Sequence, residues 1–220
     1  IRVMKLHMYY YDLFGIKNYY LVLALPDFKN KPEKFFDDRK AWDKAIDILR
    51  ESAKILDLKV VEDVGSAAFY GPKFDFNIKS AIGRSFGLST NQLDFGSGKR
   101  FNLTYTDKDG SEKTIPYIIH RAPLGSDERF IGFLIEHFRG NFPVWLSPIQ
   151  VAILPITEKE LEYSQSLFLK LKQEKIRAMV DGRREKIEAK IRNSQLQKIP
   201  YMIIVGKKEV ESGKLALRLR

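Results

Sequence analysis

The hydrophobic pattern of this chain changes character once, and that change limits the folds open to it. In the first two thirds, apolar residues recur mainly at every second position in short runs. Phe74, Phe76 and Ile78 alternate with Asp75, Asn77 and Lys79, which predicts a half-buried strand with one polar face. Gln92-Leu93-Asp94-Phe95 alternates in the same way. Phe101, Leu103 and Tyr105 lead into Asp107-Lys108-Asp109-Gly110, and Ile115, Tyr117 and Ile119 return from it, so the spacing predicts a hairpin. Successive antiparallel strands of this kind make a sheet that can carry a site on its polar side. Around them stand an apolar run, Tyr19–Leu25, closed by Pro26, and a short strand-like run, Lys59–Val61. A helix follows Asp37 and Asp38, with Trp42, Ala45, Ile46, Leu49 and Ala53 on one face. A second helix opens at Ser126, a suitable N-cap with Asp127 and Glu128 in the first turn, and ends at Gly140 and Pro143.

After Phe142-Pro143-Val144-Trp145-Leu146-Ser147-Pro148 the pattern becomes strand, helix, strand, helix, strand. Val151–Leu154 is apolar throughout, and Thr157 with Glu160 forms a capping box for a helix carrying Leu161, Phe168 and Leu171. Ile176, Ala178 and Val180 alternate, Ile187 and Ile191 mark a second helix, and Tyr201–Val205 reads as a buried strand. This order predicts a small α/β domain with a mainly parallel sheet. The expected organisation is therefore an α+β domain built on an antiparallel sheet over residues 1–147 and an α/β domain over 148–220.

Charge separates the same two parts. Residues 149–220 hold 16 Lys and Arg against nine Asp and Glu, whereas the preceding residues hold 22 against 19. A basic second domain suits a polyanion such as nucleic acid, although a merely soluble basic surface has the same composition. With no cysteine, the chain forms neither disulfides nor a thiolate metal site of its own. No apolar run is long enough to span a membrane, and the first residues lack the apolar core of a secretory signal, so a cytoplasmic location is expected. Ile1 at one end and the alternating run Leu215–Arg220 at the other are expected to be cut ends of something longer.

Physical chemistry singles out few residues. Arg129 falls in the first turn of a helix, where the macrodipole disfavours a cation. Either Asp127 and Glu128 compensate it, or Arg129 and the helix N-terminus together bind an anion such as a phosphate. His120 stands at the end of a strand; a lone histidine is either structural or one ligand of a metal that needs three or four. Tyr70 and Lys73 flank a Gly-Pro turn that is either a plain surface turn or the lip of a pocket. No Walker-type phosphate loop, no Ser-His-Asp order and no paired carboxylates stand out.

Taken in order, several segments resemble the threonyl-tRNA synthetases, a family of class II aminoacyl-tRNA synthetases. They are Ala67-Ala68-Phe69-Tyr70-Gly71-Pro72-Lys73, Leu88–Phe95, Ile119-His120-Arg121-Ala122-Pro123-Leu124-Gly125-Ser126-Asp127-Glu128-Arg129-Phe130, the junction Phe142–Pro148, Pro200-Tyr201-Met202 and Glu209–Lys214. The resemblance implies a partial class II catalytic core followed by an anticodon-binding domain. It implies ATP-dependent activation of threonine, with Mg, and transfer to the 3′ end of the threonine tRNA by a homodimer. In that frame Lys73 and Arg129 are catalytic, with Arg129 on the ATP phosphates. Tyr70, Thr90, Gln92 and Ser126 line the threonine and adenylate pocket. His120 is one of three protein ligands of a zinc ion that recognises the threonine amino and hydroxyl groups, a discrimination that shape alone makes poorly. Arg184, Glu209 and Arg218 are implied readers of the anticodon, with Arg218 pointing away from Leu215, Leu217 and Leu219.

The chain also departs from the pattern. The other two zinc ligands, and the second and first class II motifs, have no counterpart here. Ser66 replaces a usual Glu, Phe86-Gly87 a Trp-Gln pair, Gly96-Ser97-Gly98 a Leu-Pro turn, Arg184 an Asn and Glu188 a helix Gly. By itself the chain is expected to be inactive. A non-catalytic, tRNA- or RNA-binding paralogue is the alternative expectation.

Overall fold

A computed structural model describes residues 1–80 and 83–220. The chain divides into two compact units, Ile1–Phe133 and Leu134–Arg220.

The first unit opens with helix α1 (Arg2–Leu13), which the strand-like patterning downstream did not announce. Strand β1 (Tyr19–Leu25) follows, then α2 (Arg39–Ile55), β2 (Val60–Val64), β3 (Lys73–Lys79) and β4 (Ser85–Asp94). After the single turn α3 (Ser97–Arg100) come β5 (Thr104–Thr106), β6 (Glu112–Thr114) and β7 (Ile118–Ala122). Five strands form one sheet in the order β2-β1-β3-β4-β7, antiparallel except for the parallel pair β1 and β2. Alternation along β3 buries Phe74, Phe76 and Ile78 and leaves Lys73, Asp75 and Asn77 partly exposed on the other face. Helix α1 covers the apolar face. Tyr11 meets Phe76 edge-on at 5.8 Å, and the His7 ring stacks on Phe76 at 4.6 Å. Helix α2 starts as its sequence requires, with the Asp38 carboxylate accepting from Ala41 N at 3.1 Å. Its Trp42 is fully buried among Ala24, Phe35 and Phe95, and Trp42 Nε1 donates to Phe36 O at 2.9 Å.

The long hairpin predicted over residues 101–119 is shorter than its alternation suggests. Only β5 and β6 pair, from Thr104/Thr114 to Thr106/Glu112, and β7 joins the large sheet beside β4 instead. Pro116 explains the break, because it has no N–H to continue the ladder. The backbone of Gly98 also lies against Ile115, where a Cβ would sit 2.2 Å from the Ile115 carbonyl oxygen. Phe101, Leu103 and Tyr105 consequently remain exposed.

Helix α4 (Asp127–His137) begins where expected, with the Ser126 hydroxyl accepting from Arg129 N at 3.4 Å. Phe130 meets Phe14 at 4.8 Å between ring centres. Beyond it the second unit contains β8 (Val151–Pro155), α5 (Leu161–Gln173), β9 (Ala178–Val180), α6 (Ile187–Leu196), β10 (Tyr201–Val205), α7 (Lys207–Ser212) and β11 (Ala216–Leu219). Its sheet runs β11-β10-β8-β9, with β10, β8 and β9 parallel and β11 antiparallel at the edge. Val151, Ile153, Ile203 and Val205 face α5 through Leu167, while Ala152, Leu154 and Met202 face Ile187 and Ile191 of α6. Covered on both faces, β8 is apolar along its whole length. The predicted capping box is present: Glu160 accepts from Thr157 N at 2.9 Å and Thr157 Oγ1 accepts from Lys159 N at 3.2 Å. Among the described residues, no helix is long and apolar enough to cross a membrane.

Candidate functional site

On the polar face of the first sheet, register brings together residues that lie far apart in sequence. Lys73 of β3 stands opposite Gln92 of β4, and Gln92 opposite His120 of β7. Directly paired residues project to the same face, so these three form one row. In the next row Asp75 faces Thr90. Gln92 Nε2 donates to Thr90 Oγ1 at 3.2 Å, and the Tyr70 hydroxyl donates to Gln92 Oε1. Partial burial first, and then the nearby Asp94 carboxylate, push the Tyr70 hydroxyl pKa up, which keeps it a donor at neutral pH. Lys73 Nζ and Asp75 pair at 2.7 Å, both about three quarters covered. Asp75 was not singled out from sequence, although its place two residues from Lys73 on one strand puts it on the same face.

The Gly71 backbone holds this corner closed. A Cβ there would lie 1.9 Å from the Leu93 carbonyl oxygen. Asp94 finishes the strand, its carboxylate accepting from Gly96 N at 2.9 Å and Ser97 N at 2.8 Å.

Arg129 reaches the same strand from α4, with Nη1 donating to the Gly87 carbonyl at 3.2 Å. Its guanidinium therefore sits over β4, beside the N-terminus that Ser126 caps. Gly87 replaces the larger residue usual in the resemblance, and a Cβ there would meet Asn77 Oδ1 at 3.3 Å. Asn77 thus occupies space that a side chain at 87 would enter. The structure gathers Tyr70, Lys73, Thr90, Gln92 and His120 on one face, with Arg129 at its border. His120 is exposed on an edge strand, and no group of three or more His, Cys, Asp or Glu that could hold a metal occurs among the described residues.

In the second unit, a pocket of about 510 Å³ opens at the carboxyl ends of β8 and β9. Open parallel sheets commonly bind ligands there. Arg184 lies on its rim, highly exposed, with Nε donating to Glu158. Arg183 is held by the buried Asp181 through two bonds of 2.8 and 2.7 Å, which keeps the Asp181 carboxyl below its usual range. Lys190 lines the floor. Glu209 caps α7, accepting from Gly206 N at 2.9 Å, and the Cα of Gly206 faces Ile156 of the pocket wall. Arg184 and Glu209 therefore share the carboxyl end of the sheet. Arg218 stands on edge strand β11 opposite Met202, on the α6 face, while Leu217 and Leu219 point the other way. Lys190 escaped notice in the sequence. Its signal was a lysine on the helix face that carries Ile187 and Ile191 of α6, where a basic residue has to be buried.

Residues 150–220 match the family model described as anticodon binding domain. The chain is 44% identical over 218 residues to the threonine–tRNA ligase of Cytophaga hutchinsonii, covering 99% of this chain and 34% of that protein. It is 46% identical over 222 residues to that of Desulforamulus reducens, again covering 34% of the relative. The crystal structure of the RNA binding domain of threonyl-tRNA synthetase from Cryptosporidium parvum superposes with a TM-score of 0.88 at 34% identity. That match covers 100% of this chain and 54% of the other. The chain spans about a third of the length of the curated relatives it matches.

Proposed function

Because the chain belongs to the threonine–tRNA ligase family, as about a third of such a ligase, we propose that it supplies part of a threonine-activating centre and the anticodon-binding domain. The supporting observation is the row Lys73–Gln92–His120, with Tyr70 and Thr90 hydrogen-bonded into it and Arg129 bordering it. In this reading the threonine carboxylate attacks the α-phosphorus of Mg-bound ATP and pyrophosphate leaves; a ribose hydroxyl at the tRNA 3′ end then attacks the threonyl carbonyl carbon of the adenylate and AMP leaves. Arg129, a fixed cation at a helix N-terminus, steadies the negative charge that develops on the phosphates. Lys73, oriented by Asp75, is the second catalytic cation. Tyr70, Thr90, Gln92 and Ser126 bind threonine and the adenylate through directed donors and acceptors.

His120 is proposed as one zinc ligand. A zinc ion needs three or four, so the residues of this chain by themselves do not hold it. In the second unit Arg184, Glu209 and Arg218 are the proposed anticodon contacts, with the functional boundary between 147 and 148. The whole ligase is proposed to work in the cytoplasm as a homodimer.

Two experiments test this. Substituted for the matching third of the C. hutchinsonii relative, the chain is expected to support threonine-dependent ATP–pyrophosphate exchange, and Arg129→Ala to lower kcat about 100-fold or more. A folded chimera without exchange overturns the catalytic half. The chain alone is expected to bind a hairpin bearing the threonine anticodon more tightly than one bearing an unrelated anticodon. Equal affinity overturns the other half.

A further inference from the structure

Consecutive residues of β4 grip the segment that leads into α4. The Gly87 carbonyl accepts from Arg129 Nη1 at 3.2 Å. Gly125 has a left-handed backbone, φ +68°, and lies so near Leu88 that a Cβ would sit 2.4 Å from the Leu88 carbonyl oxygen. The Ser89 hydroxyl donates to the Pro123 carbonyl. The pairing of β4 with β3 slips here: Phe76 stands opposite Ser89 and Asn77 opposite Gly87, so Leu88 bulges, and Leu88 and Ser89 are both buried. Behind Ser89 stands Tyr11 of α1, fully buried, its hydroxyl bonded to Ser89 Oγ. A serine hydroxyl has a single proton and Ser89 gives it to Pro123, so Tyr11 is the donor to Ser89. Burial pushes the Tyr11 pKa up, which keeps that donor protonated. The Tyr11 ring is itself fixed edge-on against Tyr19 at 4.9 Å and Phe76 at 5.8 Å.

Apolar groups of the same shape in place of the two hydroxyls would cost little stability. What the hydroxyls add is direction, because the chain Tyr11–Ser89–Pro123 ends on a loop carbonyl just ahead of Ser126 and Arg129. Pro123 is only partly buried, so its carbonyl can turn to water once Ser89 lets it go. We propose that Ser89, backed by Tyr11, is a positioning residue for threonine activation: it fixes the loop from Pro123 to Ser126 and so sets where the Arg129 guanidinium lies over the site. Ser89 is on the helix-covered side of β4, whereas Thr90 and Gln92 are on its polar side, so it acts through Arg129 and not on the substrate. This inference rests on the threonine-activating reading of the first unit and adds to it a residue that the substrate never meets.

The test uses the chimera in which this chain replaces the matching third of the C. hutchinsonii relative, assayed by threonine-dependent ATP–pyrophosphate exchange. Ser89→Ala is expected to lower kcat about 10- to 100-fold, as a displacement of about an ångström at a reacting centre does. In an Arg129→Ala background the same substitution is expected to add no further loss, since the group it positions is gone. A loss of the same factor in both backgrounds overturns the assignment, because it marks a general structural defect. A kcat unchanged by Ser89→Ala in the otherwise unsubstituted chimera also overturns it. Ser89→Ala strands the Tyr11 hydroxyl; if that variant does not fold, Tyr11→Phe/Ser89→Ala, which removes both hydroxyls, takes its place with the same expectations and the same refutations. A folded chimera without exchange before any of these substitutions overturns the activation reading and this inference with it, whereas an active chimera indifferent to Ser89 overturns this inference alone.

Discussion

Replacing His7 with phenylalanine is expected to make the first unit less sensitive to acid. His7 is fully buried beneath the sheet, its ring is stacked on Phe76, and neither ring nitrogen has a hydrogen-bond partner among the described residues. Burial first, and then the positive charge of Arg121 on β7, hold its pKa down at about 4, against 6.5 for a free imidazole. The unfolded chain therefore takes up a proton before the folded one does as pH falls. Stability linked to His7 is fully present above about pH 6.5 and drains away as the pH drops toward 4. That gap of roughly 2.5, at about 1.4 kcal/mol for each pH unit, corresponds to about 3.5 kcal/mol. Phenylalanine keeps the stacking and has no proton to bind. Urea unfolding at pH 7.5 and 4.5, followed by tryptophan fluorescence in a Trp145→Phe background that leaves the buried Trp42 as the sole tryptophan, reads this directly. The unsubstituted chain should lose about 2–3 kcal/mol more than His7→Phe across that interval. Comparing slopes rather than absolute stabilities cancels any cost of fitting the larger ring. Parallel pH profiles for the two proteins would refute the argument, because they would mean that His7 is either solvated or protonated in the fold.

Gly71→Ala should cost at least about 2–3 kcal/mol in urea unfolding, because the new Cβ meets a backbone oxygen of Leu93 that cannot turn aside; a loss below about 0.5 kcal/mol would contradict it. Thr157→Ala removes one side of the capping box and should cost about 1 kcal/mol in the second unit, measured by urea unfolding of residues 134–220 followed by far-UV circular dichroism, with Thr157→Ser restoring most of it. Hairpin RNA binding should weaken as salt rises, with a log–log slope of about −0.7 for each phosphate neutralised; affinity independent of salt would count against a phosphate-contacting surface.

Local chemistry made much of this protein legible. The capping box at Thr157, the N-caps at Asp38 and Ser126, and the apolar run of β8 are contacts within a few residues, so their signals sit side by side in the chain. The ordered segments from Ala67 to Lys214 carried the resemblance that the relatives bear out. Alternation also told which residues of β3 share a face. It could not tell which strand lies beside which, and so the hairpin over residues 101–119 was drawn too long. Pro116 was the local clue that its ladder ends.

The sequence by itself therefore determined most of the elements after α1, their polar and apolar faces, the two architectures and the family. The tertiary structure alone decided that Lys73, Gln92 and His120 form one row, that Arg129 lies over Gly87, and that the ring of His7 and the ammonium of Lys190 are buried. The reason is physical. Helical and strand periods follow from local backbone geometry, whereas register, burial and the desolvation of a charge depend on which distant surface closes over a residue.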